Sequence, residues 1–244
     1  LKLQDAIAQD IPLVCRLLSK KPQKDIHSLN DLQRNVTFEI QTIEGETVDV
    51  SDIPQWPNTW PLHQTYTYKF LNYSNDVKIR NKKIQDKILA VVFRQFQLTV
   101  RYIKFRRERN PEKETDFRFE WSSKLATFGN NANVLAQAYL PTSNPVRTGW
   151  SGLIQINDLW EWAIYGKEGA QFLIQVLIHE LFHSLGYKHD ELDNQSTLFP
   201  YANGAILFTA RDKLRLWTDY GRRMLPQWLV NVMTKRLLNG FDFD

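Results

Sequence analysis

Cysteine is nearly absent: Cys15 stands alone among 244 residues. An intramolecular disulfide is therefore excluded, as is a metal centre built on cysteines alone. Long hydrophobic runs are missing too, and without about eighteen consecutive apolar residues no helix spans a bilayer. There is no internal repeat and no low-complexity tract. An excess of one charge is also lacking, since 31 basic residues face 27 acidic ones, a net charge of +4. The most basic run, "RYIKFRRERN", is followed at once by "PEKETD". A nucleic-acid surface needs basic residues gathered on one face, so scattered charge reads as a solvated surface and nucleic acid is not an expected partner.

What is present is core-forming material. Hydrophobic residues make up 43% of the chain and eight tryptophans are among them, which fits one main folded domain with extensions. Residues 1–56 read as a preface, a propeptide or attachment segment. It holds a helical pattern in "LQDAIAQDIPLVCRLL", a polar "SKKPQKD", and an alternating "NVTFEIQTIEGETVDV" that predicts a strand or hairpin. Proline and tryptophan in "DIPQWPNTWPLH" mark its end.

From residue 57 the pattern changes. Alternation predicts a strand in "QTYTYKFLNY", then a helix follows over "NDVKIRNKKIQDKILAVVFRQFQ", with Asn75 or Asp76 able to cap it. Further strands are expected in "LTVRYIKF", "TDFRFEWS", "NVLAQAYLP" and "GLIQIND". The segment "EGAQFLIQVLIHELFHSLG" is apolar all round and predicts a buried helix ended by Gly186. Another helix is signalled by "TARDKLRLWTDYG", from Thr209 as N-cap to Gly221 as stop. Residues 222–244 read as an amphipathic helical extension, with Leu225, Trp228, Leu229, Val232, Met233 and Leu237 spaced along one face.

Three of the five histidines, His179, His183 and His189, fall within eleven positions. On a helix, His179 and His183 project from one face about one turn, roughly 5.4 Å, apart, so two imidazoles can grip one ion. Glu180 lies about 100° further round, placed to hold a water beside the ion. Gly186 can turn the backbone with positive φ and return His189 as a third ligand, leaving a fourth position open as a catalytic zinc site requires. By average residue usage the pattern H-E-x-x-H-x-x-G-x-x-H arises by chance in about one chain in a hundred thousand of this length.

This pattern is the signature of the metzincin zinc peptidases, and its flanks resemble the matrixins, the matrix metalloproteinase-like branch. "NVLAQAYLP" and "GLIQINDLWEW" resemble the two strands that precede the matrixin helix, "STLFPYA" its turn, and "FTARDKLRLWTDYG" its closing helix. The resemblance covers about residues 57–221. It implies an α+β fold: a metzincin-like domain with a twisted, mostly parallel sheet, an active-site helix and a C-terminal helix, plus N- and C-terminal extensions. It also implies a zinc-dependent endopeptidase acting on protein or peptide substrates, with an extracellular setting favoured. His179, His183 and His189 match the zinc ligands and Glu180 the general base. Leu135 and Ala136 lie in the family's edge strand, which pairs with an extended substrate. Pro200 and Tyr201 match the wall of the pocket beyond the cleaved bond, and Asp212 an acidic residue structural in the family.

Three departures shape the expectations. Gln137 and Gln155 stand where matrixins give histidines to a second zinc, and "SSKLATFGNNAN" replaces the loop that supplies calcium, so one zinc is predicted and neither a structural zinc nor calcium. Leu198 occupies the Met-turn position; its similar volume predicts a cost under about 1.5 kcal/mol. The preface lacks the P-R-C-G-x-P-D switch, so Cys15 is expected to be a buried small hydrophobe, the alternative being a thiolate that blocks the zinc. Asp49 or Asp52 of the preface could also be placed on the zinc. A reading from another class is a structural or attachment component of a larger assembly, such as a virion or cell-surface complex, meeting a protein partner through the preface or the C-terminal helix.

Overall fold

The fold is described from a computed structural model covering residues 13–20, 34–42, 59–74, 81–141, 149–160, 162, 166–201, 203–225 and 232. Asn75, Asp76, Asp49, Asp52 and nearly all of the 222–244 extension lie outside the described residues. The strands are β1 (Leu13–Ser19), β2 (Val36–Thr42), β3 (Thr65–Phe70), β4 (Lys104–Arg107), β5 (Phe117–Ser122), β6 (Val134–Tyr139) and β7 (Leu153–Asn157). The helices are α1 (Lys82–Thr99), α2 (Gly166–Ser184) and α3 (Ala210–Tyr220). No described helix is long and apolar enough to cross a membrane.

All seven strands form one sheet in the order β2-β1-β6-β7-β5-β3-β4. The stretch β7-β5-β3-β4 is parallel, while β6 runs antiparallel to β7. This is the expected mostly parallel sheet of an α+β metzincin-like fold. The preface then adds β1 and β2, both paired antiparallel to their neighbours.

Here the structure corrects two expectations. Leu13–Ser19 belongs to a strand rather than a helix, because alternate residues serve two faces: Leu13, Cys15 and Leu17 enter the main core, while Val14 packs with Tyr139 and Leu153 on the other side. Strand β6 is likewise not an open edge. Its outer backbone is taken up by β1, with Leu17 opposite Ala136 and Cys15 opposite Ala138.

Local chemistry explains the remaining boundaries. Asn81 caps α1 through its side chain on Lys83, and α1 runs on to Thr99, so the strand expected in "LTVRYIKF" is confined to Lys104–Arg107. Leu98 and Thr99 are buried, and that tertiary contact holds the last turn of the helix against their β tendency. Thr209 and Asp212 form a capping box on α3, and Gly221 (φ 72°) ends it. One core joins the layers: Phe96 of α1 meets Phe182 of α2 at 4.9 Å and Phe208 at 4.8 Å between ring centroids.

Candidate metal centre and its surroundings

Helix α2 carries His179, Glu180 and His183 through the middle of the molecule, where Phe172–Leu185 are buried without exception. Its C-terminus is closed by a Schellman arrangement: Tyr187 N–H donates to the Phe182 carbonyl and Gly186 N–H to that of His183. Gly186 has φ 100°, a conformation that a side chain would strain. The carbonyls of Ser184 and Leu185 are satisfied by Trp60 Nε1 at 2.6 Å and the Tyr220 hydroxyl at 2.8 Å. Both ends of the domain thus meet at the turn that delivers His189.

The three rings come together as the spacing predicts. Centroids lie 4.6 Å apart for His179 and His183, 5.2 Å for His179 and His189, and 4.8 Å for His183 and His189. Nδ1 of His179 is 2.7 Å from the Thr197 carbonyl and Nδ1 of His183 is 2.6 Å from that of Tyr187. A carbonyl can only accept, so both Nδ1 atoms carry the proton and both Nε2 atoms present lone pairs. Those two Nε2 atoms are 2.8 Å apart. Burial pulls the pKa of His183 down to about 4; it also lowers those of His179 and His189, where the neighbouring histidines add to it. Neutral lone pairs so close repel unless a cation lies among them. The donor set fits zinc, whose usual protein ligands are imidazole nitrogens and thiolates.

Glu180 is wholly buried, and neither carboxylate oxygen has a hydrogen-bond partner among the described residues. Burial pushes its carboxyl well above the usual range. An unpartnered carboxylate in the core costs several kcal/mol unless a cation or a bound ligand compensates, so this position is legible as a site rather than as packing.

Cys15 joins the histidines in space. It is buried, as expected, but it is more than a small hydrophobe: its Sγ lies 3.6 Å from Nε2 of His189, and one ligand atom from each of Cys15, His179, His183 and His189 falls within 4.8 Å of the others. Burial first, then the Glu180 and Glu39 carboxylates, push the thiol pKa up.

The supporting shell holds residues that the motif did not announce. Asp190, beside His189, is buried and accepts from Arg211 Nε at 2.5 Å and Arg215 at 3.0 Å. Asp190 N–H donates to the carbonyl of Leu198, tying the third histidine to the turn beneath. Leu198 is fully buried in the core. Asp212 accepts from Ser196 Oγ at 2.5 Å and from Thr197 N–H and Oγ1 at 3.1 Å, which fixes the carbonyl that holds His179. Tyr201 is half-exposed, and its backbone bridges Thr37 of β2. Leu135 and Ala136 are buried in β6. The signal missed for β1 was Pro12, which removes a backbone donor inside the supposed helix.

Gln137 and Gln155 do not point toward the histidines. They lie in one row that crosses five strands in register: Glu39, Arg16, Gln137, Gln155 and Glu120. Arg16 Nε donates to Gln137 Oε1 at 3.0 Å, Gln137 Nε2 to Gln155 Oε1 at 2.7 Å, and Gln155 Nε2 to Glu120 at 2.8 Å. Gln137 also donates to the Thr127 carbonyl and Arg16 to Gln41.

The matrixin family profile matches residues 59–218. Among solved structures, that of myroilysin is similar at 11% identity, covering 68% of this chain and 97% of that one with a TM-score of 0.47. A search of curated proteins finds no match. With the profile spanning well over half of its length, the chain belongs to the matrixin family of zinc metallopeptidases and is a metalloendopeptidase.

Proposed function

We propose that the chain hydrolyses peptide bonds with one zinc ion held by His179, His183 and His189 and with Glu180 as general base. The observation that carries this is the unpartnered, buried Glu180 carboxylate beside three neutral imidazoles. A bound zinc supplies positive charge that polarises the scissile carbonyl and acidifies water. Glu180 takes the proton from the attacking water and passes it to the leaving amine nitrogen. The carbonyls of Thr197 and Tyr187 keep the imidazole tautomers that expose Nε2. With β1 displaced from its outer side, the backbone of β6 around Leu135 and Ala136 pairs with an extended substrate, and Pro200 with Tyr201 bounds the pocket beyond the cleaved bond.

Glu180→Ala is the test. Zinc content should match the wild type while cleavage of an unfolded protein substrate falls on the order of 10²–10⁴-fold; unchanged cleavage at equal zinc would contradict the assignment. The reading as an attachment component draws less support, because the preface strands are spent on the chain's own sheet.

A further inference from the structure

From Phe172 to Ile178 helix α2 is buried throughout, and every residue there is apolar except Gln175. Gln175 is 3% exposed and stands one turn before His179, so the two side chains leave the same face of the helix. Its carboxamide is oriented by a neighbour. Asn203 Nδ2 donates to the carbonyls of Asn194 at 2.9 Å and Ser196 at 2.8 Å, and Asn203 Oδ1 accepts from Ala205 N–H at 2.9 Å. With both ends of Asn203 fixed by backbone, only the nitrogen of Gln175 can meet Oδ1, and Nε2 does so at 2.9 Å. Gln175 Oε1 is thereby turned away from Asn203, and it is buried without a donor among the described residues. Buried acceptors in folded proteins are nearly always satisfied, so this oxygen marks a place for a donor from outside. Asn203 follows Tyr201 by two residues, and its bond to Gln175 ties the active-site helix to the loop that carries Pro200 and Tyr201.

We propose that Gln175 is a specificity-determining residue whose Oε1 accepts a hydrogen bond from the substrate side chain that follows the cleaved bond. The pocket then selects uncharged side chains that end in an N–H or O–H donor, glutamine among them. This rests on the peptidase reading, which puts Pro200 and Tyr201 in the wall of that pocket. An aliphatic side chain would exclude water and leave Oε1 unpaired, while an ammonium would meet a neutral carbonyl where it needs a carboxylate. Selection of this kind comes from the cost of an unpaired acceptor in the enzyme rather than from the size of the pocket. Gln175 touches no reacting atom, so its loss should change which peptides are preferred and not the chemistry carried by Glu180.

Two zinc-binding peptide hydroxamates, identical except that the first side chain is that of glutamine or of methionine, test this on the zinc-loaded full chain. Calorimetry should find the glutamine form bound about tenfold or more tightly than the methionine form. Strand β1 competes equally with either ligand, which lowers both affinities and leaves their ratio unchanged. Gln175→Leu should erase or reverse the ratio. Were Gln175 only a tether between helix and loop, the variant would weaken both ligands alike and keep the ratio. Equal binding by the wild type, a preference for methionine, or no binding of either ligand would each overturn the assignment, and none of these needs the variant to fold. A mixed peptide library separates this from the chemistry. Cleavage that depends on Glu180 but shows no preference for donor side chains after the cleaved bond would refute the role of Gln175 alone. Discrimination between the hydroxamates with no cleavage that depends on Glu180 would keep Gln175 as a binding determinant and refute the peptidase reading.

Discussion

Two buried polar centres lie on opposite faces of the same strands, and they are completed in opposite ways. In the row from Glu39 to Glu120, the Gln137 and Gln155 side chains find partners within the protein. In the histidine cluster, two ring nitrogens face one another at 2.8 Å and Glu180 has no hydrogen-bond partner among the described residues. Folding tolerates buried polar groups when they are satisfied, and each unsatisfied one costs about 1–3 kcal/mol, more when charged. The satisfied centre is thus structural. The other leaves the Glu180 carboxylate without a partner among the described residues, and the proposed chemistry completes it with an ion and a substrate.

The largest break in that contrast comes from removing a ligand. His183→Ala should lower zinc affinity more than about a hundredfold, beyond the range of outer-shell changes, and abolish cleavage; metal analysis after dialysis checks it. On the other side, Gln137→Leu should leave zinc content intact but cost about 2–4 kcal/mol in denaturant unfolding, because Arg16 loses an acceptor in a buried place.

Acid should distinguish the centres as well. In metal-free protein the unfolded chain protonates His183 below about pH 6.5, whereas the folded chain holds it neutral down to about 4. The unfolded state therefore binds the extra proton across that window, and stability falls as pH drops through it, by about 3 kcal/mol from His183 alone. Thermal unfolding at pH 7 and pH 4.5 measures this, and a flat profile would argue against a neutral buried ring. The smallest effect belongs to the floor of the site: Leu198→Met should change stability by less than about 1.5 kcal/mol and leave cleavage near wild type.

The two centres also differed in how far the sequence announced them. His179, Glu180, His183, Gly186 and His189 were legible because helix geometry and one turn of backbone are local rules. Thr209 and Gly221 were legible for the same reason, as cap and stop. The row was not, because the register that joins Arg16 to Gln137 and Gln155 spans 121 and 18 residues and is fixed only by strand pairing. Gln137 and Gln155 appeared as missing histidines rather than as members of a network. The place of Cys15 beside the histidines is hidden for a related cause: "LVCRLL" reads equally as one buried face, and only its two-residue alternation in a strand separates Cys15 from Arg16. Pro12 was the local warning.

The proposed chemistry needs one ion at one centre. An anomalous map at the zinc edge of the purified full chain tests this most directly. It should show a single site about 2.0–2.1 Å from Nε2 of His179, His183 and His189, with nothing between Gln137 and Gln155. A site at the glutamines, or none at the histidines, would contradict it.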